Sequence, residues 1–465
     1  MSDTLKELKE SLLFTQKNAA IERSDAQIAE ADAYAESYKA FLNTAKTERL
    51  AVKEAIRLAE AEGFVPFDRT KPLTCGDKIY LNNRDKAVIL AVIGEKPIAD
   101  GVSVAAAHVD SPRLDLKPNP LYEKSGLAYF DTHYYGGIKK YLYATVPLAL
   151  YGVVSLKDGR TVEIAIGDRE DDPVFVVTDL LIHLSREQMQ KPAATVVTGE
   201  NLDILIGSRP FDHSKESDAI KLNIMHILNQ RYGITEADFL SAELEAVPAG
   251  FARDIGFDRS LIGGYGHDDR VCAYPALTAL FALEKPAYTA VTLLCDKEEI
   301  GSVGTTGTQG AFFPTFIEDL AELQGTRGRH VLSHSLCLSA DVNSAYDPLY
   351  ASSFNEQNSS YINRGVVLTK YTGSGGKSGS SDASAEVMGT FRRIMDAGDV
   401  IWQIGELGAV DAGGGGTVAK YIANLDVDTV DLGVPVLSMH APFEVISKLD
   451  LYETHRAFYA LLNRR

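Results

Sequence analysis

The sequence predicts an α/β fold, a mostly parallel sheet flanked by helices and interrupted by a β-rich insert. Three observations carry this. Apolar runs of strand length alternate with helical periodicity before about residue 112 and again after about residue 254. Several of those runs are almost continuously apolar, as strands covered on both faces must be. From about 113 to 252 short alternating runs and turn residues replace that pattern. The expected organisation is one domain built from residues 1–111 and 255–465, with residues 112–254 inserted into it. At roughly 150 residues per domain, 465 residues leave room for two or three.

Taken in order, residues from about 2 to 62 are rich in Ala, Glu, Lys and Leu at helical spacing and predict two helices. Strands are expected at 78–81, 87–93 and 102–108, the last running into the polar cluster His108-Val109-Asp110-Ser111-Pro112. In the insert, 161–167 alternates as a strand does, and helices are expected near 178–190 and 216–231. A helix from about 269 to 284 then precedes a strand at 290–295. A strand at 336–340 ends at Asp341, and another is expected at 400–404. A helix follows Gly413 to Gly416, a strand at 434–439 ends at His440, and a helix from about 444 to 462 closes the chain. Residues 373–381, rich in Gly and Ser, read as a flexible loop.

Composition narrows the function classes. The chain is 45% hydrophobic and 24% charged, ordinary for a globular protein. A net charge of -18 disfavours nucleic acid and anionic membrane surfaces, both of which require an excess of Lys and Arg. No stretch reaches the roughly 18 apolar residues of a membrane span. The opening MSDTLKELKESLLF is charged and helical, without a secretory core. Cys75, Cys272, Cys295 and Cys337 are far apart and form no CxxC pair, as expected in a reducing compartment. The cytoplasm is the expected location.

The chemistry is suggested by position. His108, Asp341 and His440 each close an expected strand, and Glu298 and Glu299 come shortly after another. Ligands of open α/β sheets bind beyond the carboxyl ends of the strands. Histidines and carboxylates without cysteine form a nitrogen and oxygen donor set, suited to zinc or manganese in a hydrolytic site. Adjacent side chains diverge on either a strand or a helix, so Glu298 and Glu299 cannot do the same job. One of the two can hold a metal while the other takes a proton from water. Asp110, two residues beyond His108, is placed to accept the second imidazole N–H. Each piece alone is weak, because strand-end polar residues and Glu-Glu pairs usually just meet water. Gly413 to Gly416 has an ordinary reading as a turn, and GGKSG lacks the first glycine of a phosphate loop, Tyr371 standing there.

In their order the segments resemble the aspartyl aminopeptidase family of co-catalytic dizinc metallo-aminopeptidases. The resemblance rests on AAHVDSPRLDLKPNP (106–120), YGGIKKYLYATVPLALYGVV (135–154), LLIHLSREQ (180–188) and HDDRVCAYPAL (267–277). It continues through CDKEEIGSVGTTG (295–307), SADVNSAYDP (339–348), GTVAKYIA (416–423) and VPVLSMHAPFEV (434–445). It implies two Zn²⁺ per chain, with Mn²⁺ or Co²⁺ as alternatives. His108 and Asp341 would serve one metal, His440 and Glu299 the other, with Asp268 bridging them and Glu298 as general base. It further implies a cis peptide after Asp268, Asp110 as the carboxylate behind His108, and His183 reaching a neighbouring subunit's site to stabilise the oxyanion. The fold implied is of the zinc-peptidase type, with residues 112–254 as a dimerisation domain of a homo-oligomer, dimers building a tetrahedral dodecamer. The implied substrates are peptides with a free N-terminus, attacked by a water held between the metals. Members preferring N-terminal Asp or Glu carry a Gln-Arg-Tyr-Ala type segment where this chain has GSGGKSGSSDASAE (373–386), in which Lys377 is the candidate cation. A broad-specificity aminopeptidase or a deacylase of the same fold, and an inactive scaffold homologue, are the alternatives.

Overall fold

The computed structural model describes residues 3–373 and 375–465; residue 2 of the first expected helix and residue 374 of the Gly/Ser loop lie outside that set. A nine-stranded sheet forms the frame. Its order is Val65–Pro66, Lys78–Asn83, Ala87–Val92, Thr289–Cys295, Val102–His108, Leu336–Ala340, Asp428–Gly433, Val366–Thr369 and Trp402–Ile404. Five of the eight pairings are parallel, including all three among the four central strands, so the sheet is mostly parallel as predicted. The central strand Val102–His108 is buried along its whole length. Its side chains alternate between two cores, as a pleat requires. Ala105 and Ala107 pack on one face, beneath Asp25–Thr44, Glu48–Ala61, His267–Phe281, Ala385–Ala397 and Lys448–Leu462. Val104 and Ala106 pack on the other, with Phe313, Phe316 and Ile317 of Phe312–Leu323.

Strands of a second sheet run from Arg113–Lys124 to Ala242–Pro248. Six of them close a ring, because Ala242–Pro248 pairs with Arg113–Lys124 on one side and Pro147–Ser155 on the other. Leu114, Phe130, Leu150, Ile204 and Leu244 fill it. A small third sheet holds Arg253–Ile255, Leu261–Gly264, Glu444–Ser447, Pro435–Leu437 and Asn343–Ser344.

Several expectations are corrected. No α-helix forms near 178–190; 3₁₀ turns at Ile182–Leu184 and Gln188–Gln190 take its place. The apolar residues there, Leu180, Leu181, Ile182 and Leu184, are exposed, so no packed face supports a helix. The first 62 residues hold Asp3–Leu12 and the short Ala19–Glu22 besides the two expected long helices. The helix after Gly416 is only Ala419–Ala423. Pro435–Leu437 belongs to the third sheet, so His440 approaches from a different layer than His108. Among the described residues, no helix is long and apolar enough to cross a membrane.

Candidate metal centre

The carboxyl ends of Thr289–Cys295, Val102–His108 and Leu336–Ala340 lie side by side, because these strands are parallel and in register. Their continuations deliver Glu298 and Glu299, His108 and Asp341. Asp268 enters from the start of His267–Phe281, where φ -79° and ψ 107° depart from the helix and the Asp268–Asp269 peptide is cis, as the resemblance implies. His440 sits at φ 63° in the turn after Pro435–Leu437.

These residues converge. Asp268 divides its oxygens, Oδ1 lying 3.2 Å from His108 Nε2 and Oδ2 3.0 Å from His440 Nε2. Asp341 Oδ1 lies 3.7 Å from His108 Nε2, and Glu299 Oε1 3.4 Å from His440 Nε2. Two half-sites thus share one carboxylate. Donor atoms of His108, Asp268 and Glu299 also fall within 4.8 Å of one another, as do those of His108, Glu298 and Asp341. Glu298 therefore borders the half-site of His108 and Asp341.

Surrounding groups hold each donor in place. His108 Nδ1 donates to the Asp110 carbonyl at 3.0 Å and lies 3.3 Å from its carboxylate, leaving Nε2 to face the cluster. His440 Nδ1 donates to the Gly137 carbonyl at 2.7 Å, with the same consequence. Gly136 has φ 75°, and a side chain there would place its Cβ 3.2 Å from Glu299 Oε2. The Glu444 carboxylate accepts the backbone N–H of Asp268 at 3.1 Å and of His440 at 2.7 Å, tying two donors from different elements together.

The electrostatics fit a cation site. Buried His108 Nε2, Asp268 Oδ1 and Glu299 Oε1 have no hydrogen-bond partner, although such atoms ordinarily find one. Among the described residues no Lys or Arg forms an ion pair with Asp110, Asp268, Glu298, Glu299 or Asp341. Burial, then the charge of Asp341, pushes the Glu298 carboxyl well up; burial, then Asp268, does the same to Glu299. His440 is pushed up to about 11, since the Asp268 hydrogen bond and the Glu299 charge outweigh its burial. Burial opposes ionisation of Asp268, yet the imidazoles of His108 and His440, 3.2 and 3.0 Å from its two oxygens, hold it well below the usual carboxylate range. Nitrogen and oxygen donors in this number suit zinc.

Of the residues singled out in the sequence, His108, Asp110, Asp268, Glu298, Glu299, Asp341 and His440 come together. His183 does not join them within one chain; it is exposed on the insert and makes no hydrogen bond or ion pair with the cluster. Lys377 lies on the loop after Thr369, with Nζ 3.0 Å from Asp382 and 3.8 Å above the Tyr371 ring. Tyr135, Gly137 and Glu444 lie in the matched segments 135–154 and 434–445, but no role attaches to them from the sequence. Glu444 lies four residues after His440, too common a spacing to stand out.

An α/β sheet with histidines and carboxylates gathered beyond its strand ends defines the class, a metal-dependent hydrolase. The model for the family described as Aminopeptidase I zinc metalloprotease (M18) matches residues 41–461. The chain belongs to that family of zinc metallo-aminopeptidases. A curated relative from Clostridium acetobutylicum, "Probable M18 family aminopeptidase 1", is 47% identical over 460 residues, 97% of this chain and 99% of the relative. The crystal structure of an M18 family aminopeptidase from Thermotoga maritima is 41% identical, with a TM-score of 0.93 over 97% of this chain and 100% of that one. More distantly, the S. cerevisiae mApe1 dodecamer shares the fold, at 18% identity and a TM-score of 0.76 over 94% of this chain and 97% of that one.

Proposed function

We propose that this zinc aminopeptidase removes the N-terminal residue of peptides at a two-metal site with Glu298 as general base. The observation that carries the reading is Asp268, whose two carboxylate oxygens each face a different histidine Nε2. His108 and Asp341 would hold one zinc, His440 and Glu299 the other, with Asp268 shared. Two zinc ions bound there would supply Lewis-acid polarisation of the scissile carbonyl and a lowered pKa for the attacking water. Glu298, beside His108 and Asp341, takes the proton of that water and returns it to the leaving amine. Asp110 and the Gly137 carbonyl fix the two imidazoles in the tautomer that leaves Nε2 free. Membership of a family of zinc metallo-aminopeptidases favours an aminopeptidase over a deacylase.

Residues 112–254 form the inserted domain in this reading, and 1–111 with 255–465 the catalytic one. The exposed stretch Leu180, Leu181, Ile182 and Leu184 supports the insert as a dimerisation surface, since contiguous exposed apolar residues mark interfaces. His183, in the middle of that stretch, is suited to reach a partner's site and stabilise the oxyanion there. The dodecamer of the yeast relative is the assembly proposed for this chain. Four free cysteines suit the cytoplasm.

For the substrate side chain, broad specificity is favoured over acidic preference. Lys377, the candidate partner for an acidic residue, is already paired with Asp382. A panel of N-terminal amino-acid p-nitroanilides tests both readings, with Glu298→Gln and an N-acetylated substrate as controls. We expect Leu and Ala anilides to be cleaved at least as fast as Asp and Glu anilides. The blocked substrate should be inert, and Glu298→Gln slower by about 10²–10⁴-fold with zinc retained. Acidic anilides cleaved about tenfold faster would restore the acidic preference, and an active Glu298→Gln would remove the base assignment.

A further inference from the structure

Asp110 does more than face His108. Its Oδ1 accepts the backbone N–H of Glu298 and its Oδ2 that of Glu299, both at 3.1 Å. This one carboxylate therefore sets the position of the turn that carries the proposed base and its neighbour. A further donor reaches Asp110 from the inserted sheet, the Tyr135 hydroxyl, 2.9 Å from Oδ2. Tyr135 is the last residue of Leu127–Tyr135, cross-strand from Arg113. The Arg113 guanidinium lies 3.9 Å above the Tyr135 ring. That guanidinium is itself fixed, 3.2 Å from Glu48 of the first sheet's helical layer and 3.2 Å from Glu245 of the insert. Arg113 is 3% exposed and Asp110 is fully buried, so neither has water as an alternative partner.

We propose that Tyr135 is a positioning residue for hydrolysis: the inserted sheet delivers its hydroxyl to Asp110, and Asp110 thereby holds the Glu298–Glu299 turn. On Oδ1 the Asp110 carboxylate meets the Glu298 N–H and His108 Nδ1, and on Oδ2 the Glu299 N–H and the Tyr135 hydroxyl. Among the described residues the Tyr135 hydroxyl is the one side-chain donor to Oδ2, and hydrogen bonds to a charged acceptor are the stronger kind, so its loss loosens the carboxylate that holds the turn. Small displacements of a general base are costly, because proton transfer demands hydrogen-bond distance to the attacking water. Seating of the insert is in this way felt at the base itself.

This inference rests on Glu298 being the base, and the test separates the two. Tyr135→Phe deletes only the hydroxyl and keeps the ring beneath Arg113. In the zinc-loaded full chain, assayed with Leu p-nitroanilide, we expect kcat to fall about tenfold while KM stays within about twofold. Zinc content, melting temperature and oligomeric state should match the parent. In an Asp110→Asn background the same substitution should have little further effect, because the two act as a unit. Unchanged kcat for Tyr135→Phe, with Glu298→Gln inactive, would overturn the inference and leave the base intact. A loss that multiplies fully in the Asp110→Asn background, falls on KM alone, or comes with lost zinc or folding would overturn it too. An active Glu298→Gln would instead show that the underlying reading had failed.

Discussion

Two buried clusters of charge lie within a few residues of each other, and they are neutralised in different ways. Around Arg113 the protein brings its own cations. Arg113 meets Glu48, Asp115 and Glu245, and Lys86 lies 3.0 Å from Glu48 and 3.7 Å from Asp296. At the candidate metal centre the carboxylates of Asp268, Glu298, Glu299 and Asp341 meet imidazoles and, among the described residues, no Lys or Arg. The first cluster joins the second sheet, through Arg113 and Glu245, to Glu48 and Lys86 of the first sheet's layer. The second contains no Lys or Arg, which suits the zinc proposed for it. Burial of charge by itself therefore does not mark a candidate cation site; buried carboxylates that meet no Lys or Arg do.

The contrast can be broken by chelation, and here the expected effect is largest. Removing zinc with 1,10-phenanthroline should bring anilide hydrolysis to background and lower the melting temperature, and added zinc should restore both. Full activity in chelator would mean that the second cluster needs no cation. Arg113→Met should act the other way. It removes the cation beside buried Glu245 and leaves Glu48 with Lys86 alone, so it should cost about 3–5 kcal/mol of stability in urea unfolding with or without zinc. A near-neutral Arg113→Met would place that cluster in contact with water and dissolve the comparison. The smallest effect concerns pH. Burial, then the nearby charge of Glu48, pushes Asp296 up to about 6. Between about pH 4 and 6 the folded chain then holds a proton that the unfolded chain has released, so this group's contribution to stability falls as pH rises through that window. Asp296→Asn should flatten that part of the melting-temperature profile of the metal-free protein. An unaltered slope would show that Asp296 titrates normally.

Much of the frame is legible because its signals are local. The run at 102–108 is apolar throughout, and only a strand covered on both faces tolerates that; the structure buries all seven residues. The polar residues that end such runs point to a cleft at the carboxyl edge, and His108, Asp341 and Glu298–Glu299 are found there. The segment 178–190 misleads for the same reason. Its apolar content satisfies a helical pattern, but no partner face among the described residues buries it, and 3₁₀ turns with exposed Leu and Ile result. His440 was legible as a donor but not by layer, since the short Pro435–Leu437 pairs with Glu444–Ser447 rather than with the large sheet.

The sequence by itself determined the α/β alternation, the change of character in the insert, the donor types and, through the order of its motifs, the family. Those properties depend on side-chain chemistry and periodicity over a few residues. Only the tertiary structure decided that Asp268 divides its oxygens between two histidines, that Glu444 ties His440 to Asp268, and that Tyr135 of the insert reaches Asp110. Each joins residues 25 to more than 170 positions apart in the chain. A hydrogen bond of about 3 Å fixes angles and distances that no spacing in a sequence encodes.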